Sequence, residues 1–174
     1  MREPRTNILP GRRRLKEMTV RVLFFVLGRS LQSLAGIDHA TRTEVAEWEE
    51  GFTVMFRVLP DGPKMGLRRE NGDLRYLGRR VETADLVITF KNIESAFMTL
   101  TPQLTIFRSF AEHRCMVEGD LSRTMSLVRC INTALIHLYP RAISKRLVKR
   151  LPRGGRHIHK IRLYLYCVGI PLGK

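Results

Sequence analysis

The chain has 174 residues, 31 basic and 16 acidic, for a net charge of +15. That length suits one compact domain with extensions and is short for two independent cores, and a hydrophobic content of 44% excludes a disordered chain. Cys115, Cys130 and Cys167 are widely spaced with no C-x-x-C pair, which argues against a zinc site or a disulfide framework and for reduced thiols.

Residues 1–11 contain Pro4, Pro10 and Gly11 without an apolar period and read as a loose arm. A basic run, Arg12 to Lys16, precedes a stretch from Val20 to Leu27 that is apolar apart from Arg21. A secretory leader has a similar outline, but Arg21 interrupts the apolar part, Arg29 closes it, and no small-residue cleavage site follows. The run is also short of the ~20 apolar residues that cross a bilayer. The expectation is a helix over residues 15–34, ended by Gly36, with its apolar side on the domain or on lipid.

Thr41 and Glu44 have capping-box spacing and open a short helix presenting Val45 and Trp48. Phe52, Val54, Phe56 and Val58 alternate with Thr53, Met55 and Arg57, which predicts a first strand. Asp61-Gly62-Pro63 turns into a second strand over residues 65–69. Asn71-Gly72 is a hairpin turn of the primed kind, and a third strand covers residues 74–77.

Leu86, Ile88 and Phe90 alternate with Val87 and Thr89 in a fourth strand. Asn92 caps a helix whose Ile93, Ala96, Phe97 and Leu100 share a face, and Thr101-Pro102 stops it. Leu104, Phe107 and Phe110 continue the spacing through a second helical piece, and residues 114–118 form a fifth strand. Asp120 caps a long amphipathic helix in which Leu121, Met125, Val128, Ile131, Leu135 and Leu138 step by three or four until Pro140. The fold class is therefore α+β: an approximately five-stranded, mainly antiparallel sheet with helices gathered on one face.

Residues 121–174 hold 12 basic and no acidic side chains. Such a block attracts polyanions, either an anionic membrane surface or nucleic acid. Over residues 141–151, Ile143, Leu147 and Leu151 make a narrow apolar line among Arg141, Lys145, Arg146, Lys149 and Arg150. Eleven helical residues extend about 16 Å, enough to lie along a membrane and too little to cross one. In the tail, Ile161, Leu163, Leu165 and Cys167 alternate as in a strand, while Ile158, Ile161, Leu165 and Val168 fit a helix. The pattern leaves both open.

No nucleophile elbow, P-loop or G-x-G-x-x-G is present, and the residues assemble no catalytic constellation. His157 and His159 share a strand face without a third ligand, and His113 and His137 stand alone, so no metal or other cofactor is implied. Asp85 and Asp120 have positional roles, before a strand and before a helix.

Ala84-Asp85-Leu86-Val87-Ile88-Thr89, then the Phe97/Leu100 helix, Phe110-Ala111 and Val117-Glu118-Gly119-Asp120 together resemble the sterol carrier protein 2 type of lipid-binding domain, over residues 50–139. One departure is local: where that family often has a small glycine before the Val-Glu-Gly-Asp strand, this chain has His113-Arg114. The resemblance implies a cavity between sheet and helices that holds a lipid, sterol or isoprenoid. The expected lining is Phe56, Ile88, Phe97, Leu100, Leu104, Phe107, Met116, Met125 and Val128, with Met65 and Met98 as further adaptable side chains.

The chain then divides into an arm and helix (1–37), a lipid-binding domain (38–140) and a basic extension (141–174) that holds the carrier at an anionic membrane. Some bacterial members of the family resemble accessory factors of ubiquinone synthesis, which serve membrane-associated enzymes. The expected location is cytoplasmic, partly peripheral on the inner membrane. Nucleic-acid or ribosome binding through the basic third is the alternative, and it needs exposed aromatics, for which Tyr164 and Tyr166 are the candidates.

Overall fold

The computed structural model describes residues 10–101, 103–139, 161 and 164–172, with backbone alone at 10–13 and 172. In chain order the elements are α1 (Pro10–Ile37), α2 (His39–Ala46), β1 (Thr53–Val58), β2 (Lys64–Glu70), β3 (Asp73–Gly78), β4 (Leu86–Phe90), α3 (Ile93–Leu100), α4 (Ile106–Ala111), β5 (Cys115–Glu118) and α5 (Leu121–Leu138). A π-helical turn (Leu165–Gly169) then runs into α6 (Ile170–Leu172). The tail is thus helical where it is described, and its strand-like alternation is overruled.

The five strands form one sheet in the order β3-β2-β1-β4-β5. β1–β2 and β2–β3 pair antiparallel as hairpins and β4–β5 pair antiparallel across α3 and α4, but β1 and β4 pair in parallel, so the sheet is mixed. With β2 occupying one side of β1, β4 takes the other. Asp85 secures the join: its carboxylate accepts from Thr53 N at 2.8 Å and its own N–H donates to Thr53 O at 3.0 Å. The register sets Phe56 beside Ile88, and Ile88 beside Val117.

Period two assigns the faces. Val54, Phe56, Val58, Met65, Leu67, Leu86, Ile88, Phe90 and Cys115 enter the main core under the helices, whereas Met55, Val81 and Val87 form a small cluster on the opposite face. Across that outer face Arg57 donates to Thr89 Oγ1 at 2.8 Å and pairs with Glu118 at 3.1 Å.

The first helix is longer than the pattern suggests and lies inside the core. Val20, Phe24, Leu27, Leu31 and Leu34, spaced three or four apart, are all buried. Phe24 packs its ring 6.2 Å from Phe56 and 6.3 Å from Phe90; full burial of such a side chain is worth about 1.5–3 kcal/mol. At Gly28 the helix comes so close to β3 that an added Cβ would lie 2.4 Å from the Tyr76 ring. By length and composition the stretch Arg14–Ile37 passes as a membrane span, against the expectation that it is too short, but half of it is buried within the protein.

Caps close the elements. Asp38, rather than Thr41, caps α2, accepting from Thr41 N and Thr41 Oγ1 at 2.9 Å each. Arg42 returns to the final carbonyls of α1, those of Ala35 and Gly36. Asn92 caps α3 and Asp120 caps α5, as the sequence indicates. Asn71 and Gly72 both take positive φ, 56° and 81°, in the primed hairpin turn. His113 takes φ 51°, the left-handed conformation that favours glycine.

Candidate functional site

Between the sheet and its helices lies a cavity of about 190 Å³. Leu23, Val26 and Leu27 of α1 form one wall, Phe56, Ile88, Phe90 and Cys115 the floor, and Thr99, Leu100, Ile106 and Phe110 of α3 and α4 the opposite wall. Val128, Ile131, Leu135 and Leu138 of α5 cover it, with Tyr139 and Tyr166 at the end of that helix. The wall reaches solvent at Tyr166, which is half exposed.

The α5 contribution follows from its sequence: Val128, Ile131, Leu135 and Leu138 fall on one face at helical spacing. Ile106 and Phe110, one turn apart, do the same for α4, which Thr105 caps by accepting from Arg108 N.

Among the described residues no charged side chain lines the cavity, and of its lining only Thr99, Cys115, Tyr139 and Tyr166 carry polar side-chain atoms. Thr99 Oγ1 donates to Ser95 O at 2.8 Å and lies 2.8 Å from Ser109 Oγ. Tyr139 donates to Leu100 O at 3.1 Å, and Tyr166 to Leu138 O, so each phenol satisfies a carbonyl at a helix end. Burial pushes the Cys115 thiol up, against the Ser109 hydroxyl beside it, which pulls it down, and burial together with the neighbouring Tyr166 raises Tyr139. Both groups are neutral near pH 7. A wider cleft on the outer sheet face is lined by Arg57, Lys64, Asp61 and Glu82, and its charges suit no apolar occupant.

Of the nine expected lining residues, Phe56, Ile88, Leu100 and Val128 meet at the cavity and five do not. Phe97 lies about 200° from Thr99 around the helix and packs elsewhere in the core. Leu104 is buried in the α3–α4 connection, where its N–H bonds back to Met98 O. Phe107 is 55% exposed because Ile106 and Phe110 take the inner face of α4. Met116 is 51% exposed, on the strand face opposite Cys115, and Met125 is 42% exposed near the start of α5. Nor do Met65 or Met98 line the cavity: Met65 is buried beside Phe56, and the Met98 sulfur lies 3.8 Å from Arg114 Nη1.

Among the lining residues that pattern reading missed are Leu23, Val26 and Leu27 of α1, whose apolar run marked a buried side without naming its neighbour, and Ile131, Leu135 and Leu138 of α5, which share the face of Val128. Tyr166 was weighed as an aromatic for nucleic acid, whereas here it bonds to α5 and walls the cavity. His137 is buried on α5 and has an interaction partner, contrary to its isolation in the sequence. Among the described residues no group of three or more His, Cys, Asp or Glu is placed to hold a metal. Arg141, Lys145, Arg146, Lys149 and Arg150, with His157 and His159, lie outside the described residues.

No family model matches the chain, and no curated protein does. Among solved structures it is similar to the "UbiJ-SCP2 Ubiquinone synthesis protein", at 15% identity and a TM-score of 0.45 over 69% of this chain and 98% of that one. It is also similar to the sterol carrier protein domain 2 of Helicoverpa armigera, at 15% identity and a TM-score of 0.45, covering 60% of this chain and 81% of that one. Sterol Carrier Protein 2 Like 2 from Aedes aegypti follows at 10% identity and a TM-score of 0.40, covering 67% and 96%. The chain is thus similar in structure to three solved sterol carrier protein domains at 10–15% identity.

Proposed function

We propose that the chain binds a lipid, sterol or isoprenoid without chemical change and carries or presents it at a membrane surface. The observation that carries this reading is the cavity, whose walls come from α1, α3, α4 and α5 and from β1, β4 and β5, with no charged side chain among the described residues that line it. Its driving force is the removal of apolar surface from water, about 0.8 kcal/mol per buried methylene. An apolar cavity of roughly 150 Å³ is enough to hold a benzene ring. The space here therefore accepts a ring or a short run of chain, with the remainder of a longer ligand leaving beside Tyr166.

Contact with an anionic membrane is supported by α1. Leu15, Met18, Val22 and Phe25 step along its outer side and are exposed, with Arg14 and Arg21 exposed on the same helix. The basic residues Arg141, Lys145, Arg146, Lys149 and Arg150 would add about 1 kcal/mol each near such a surface. The finer reading is cytoplasmic presentation of an isoprenoid intermediate to membrane-associated enzymes of ubiquinone synthesis. Its support is the resemblance of the stretch from Ala84 to Asp120.

Native mass spectrometry of the purified protein, followed by solvent extraction, tests the binding. A defined co-purifying lipid is expected, and Ile131→Phe, which fills the cavity from α5, should lose it while keeping the wild-type melting temperature within a few degrees. A clean apo mass that stays unchanged after incubation with lipids and quinones would sink the proposal.

A further inference from the structure

The three hydroxyl side chains in the cavity lining share a property: each commits its proton to a main-chain carbonyl. Thr99 has one hydroxyl proton, and it goes to Ser95 O at 2.8 Å, a bond to the carbonyl one turn back. The 2.8 Å contact with Ser109 Oγ is then a bond that Ser109 donates. A hydroxyl oxygen has two lone pairs, so Thr99 Oγ1 keeps one for a further partner. Tyr139 and Tyr166 also commit their protons to main-chain carbonyls. Among the described residues no lysine, arginine, asparagine, glutamine, histidine or tryptophan lines the space.

We propose that the cavity selects neutral lipids carrying a hydroxyl donor, an alcohol or a phenol, over ethers, carbonyl compounds and ionised carboxylates of the same skeleton, with Thr99 Oγ1 as the acceptor. This rests on the cavity being the lipid site. A ligand hydroxyl entering it replaces its bond to water with one to Thr99. A ligand carbonyl or ether brings an acceptor to a wall that offers acceptors, and leaves its water bonds uncompensated. Turning the Thr99 proton toward such a ligand breaks the bond to Ser95 O, so the exchange gains nothing. An ionised carboxylate finds no cation among the described residues of the wall and meets the cost of a buried charge.

The test uses the full chain and four probes of one ten-carbon skeleton: geraniol, geranyl methyl ether, the aldehyde citral, and geranic acid at pH 8. Each displaces a neutral fluorescent reporter, 1-aminoanthracene. A merely greasy cavity would favour the ether, because a hydroxyl costs more to remove from water. The expected result is the reverse, with geraniol about tenfold tighter than ether or aldehyde and the acid weakest. Thr99→Val should weaken geraniol to the level of the ether and leave the ether unchanged, while Thr99→Ser, which keeps the oxygen, should retain the preference.

Equal or tighter binding of the ether or aldehyde by the wild-type chain overturns the inference and leaves the lipid-binding reading standing. An alcohol preference that survives Thr99→Val overturns the assignment to Thr99. Failure of the reporter and all four probes to bind overturns both readings. Should Thr99→Val fail to fold, the wild-type series and Thr99→Ser still decide.

Discussion

Tyr139 donates its phenol proton to Leu100 O across 3.1 Å, and with that bond the residue that ends α5 closes the C-terminus of α3. Both residues line the cavity, so the bond joins its cover to its side wall.

Tyr139 should therefore set part of the protein's alkaline limit. Its folded-state pKa is raised, by burial first and then by Tyr166, above an ordinary value of 10.0. The unfolded chain gives up this proton first, so the stabilisation is full below pH 10 and is lost as pH rises through the folded value. Urea midpoints at pH 8 and above pH 10 should fall less steeply for Tyr139→Phe than for the parent. Removing the bond should also cost about 1 kcal/mol at pH 8. Parallel profiles for the two proteins would contradict this role.

The single tryptophan is a built-in reporter. Trp48 is buried, and its indole N–H donates to Ser126 Oγ at 2.9 Å, tying the segment after α2 to α5. Ser126→Ala leaves that N–H buried without its partner. The expected loss is about 1–3 kcal/mol, read as a lower denaturant midpoint in tryptophan fluorescence with an unchanged slope. A midpoint within error of the parent would mean that another group takes over the bond.

Thiol labelling should follow burial. Cys167 is exposed and should react first with iodoacetamide, whereas Cys115 and Cys130 are buried. Burial pushes Cys130 up to about 12, far from the thiolate range at neutral pH. Only Cys115 lines the cavity, so a bound lipid should slow its labelling and leave Cys130 unaffected. Mass-resolved peptide mapping with and without geraniol measures this, and equal protection of both buried thiols would point to general stiffening in place of occupancy.

His113 holds φ 51° with an exposed side chain. Replacing it with glycine removes the steric cost of a left-handed residue and sacrifices little packing. His113→Gly should raise stability by about 1 kcal/mol, visible as a higher melting temperature. A loss of stability would show that the imidazole has a role beyond the turn.

Much of this architecture can be read along the chain because its causes are local. Alternation in Val54 to Val58 and Leu86 to Phe90 marks strands, Asn92 and Asp120 mark helix starts, and Asn71-Gly72 marks the hairpin turn. The α2 start was misplaced because Thr41 has the right spacing to cap, yet Asp38 comes first and its carboxylate takes Thr41 N. The cavity was legible only in part. Phe56, Ile88, Leu100 and Val128 lie on faces that period alone identifies, while Phe107, Met116 and Met125 are as apolar but face outward.

Sequence by itself determined the five strands, the starts of α3 and α5 and which faces are apolar, because those depend on backbone periodicity and on bonds within a few residues. Tertiary structure alone decided that β4 pairs in parallel with β1, that Leu23, Val26 and Leu27 of α1 become a cavity wall, and that the Thr99, Tyr139 and Tyr166 hydroxyls point back into the protein. The reason is that an apolar face states only that water is excluded. Whether its neighbour is another side chain or an empty space depends on where distant helices come to rest across the sheet.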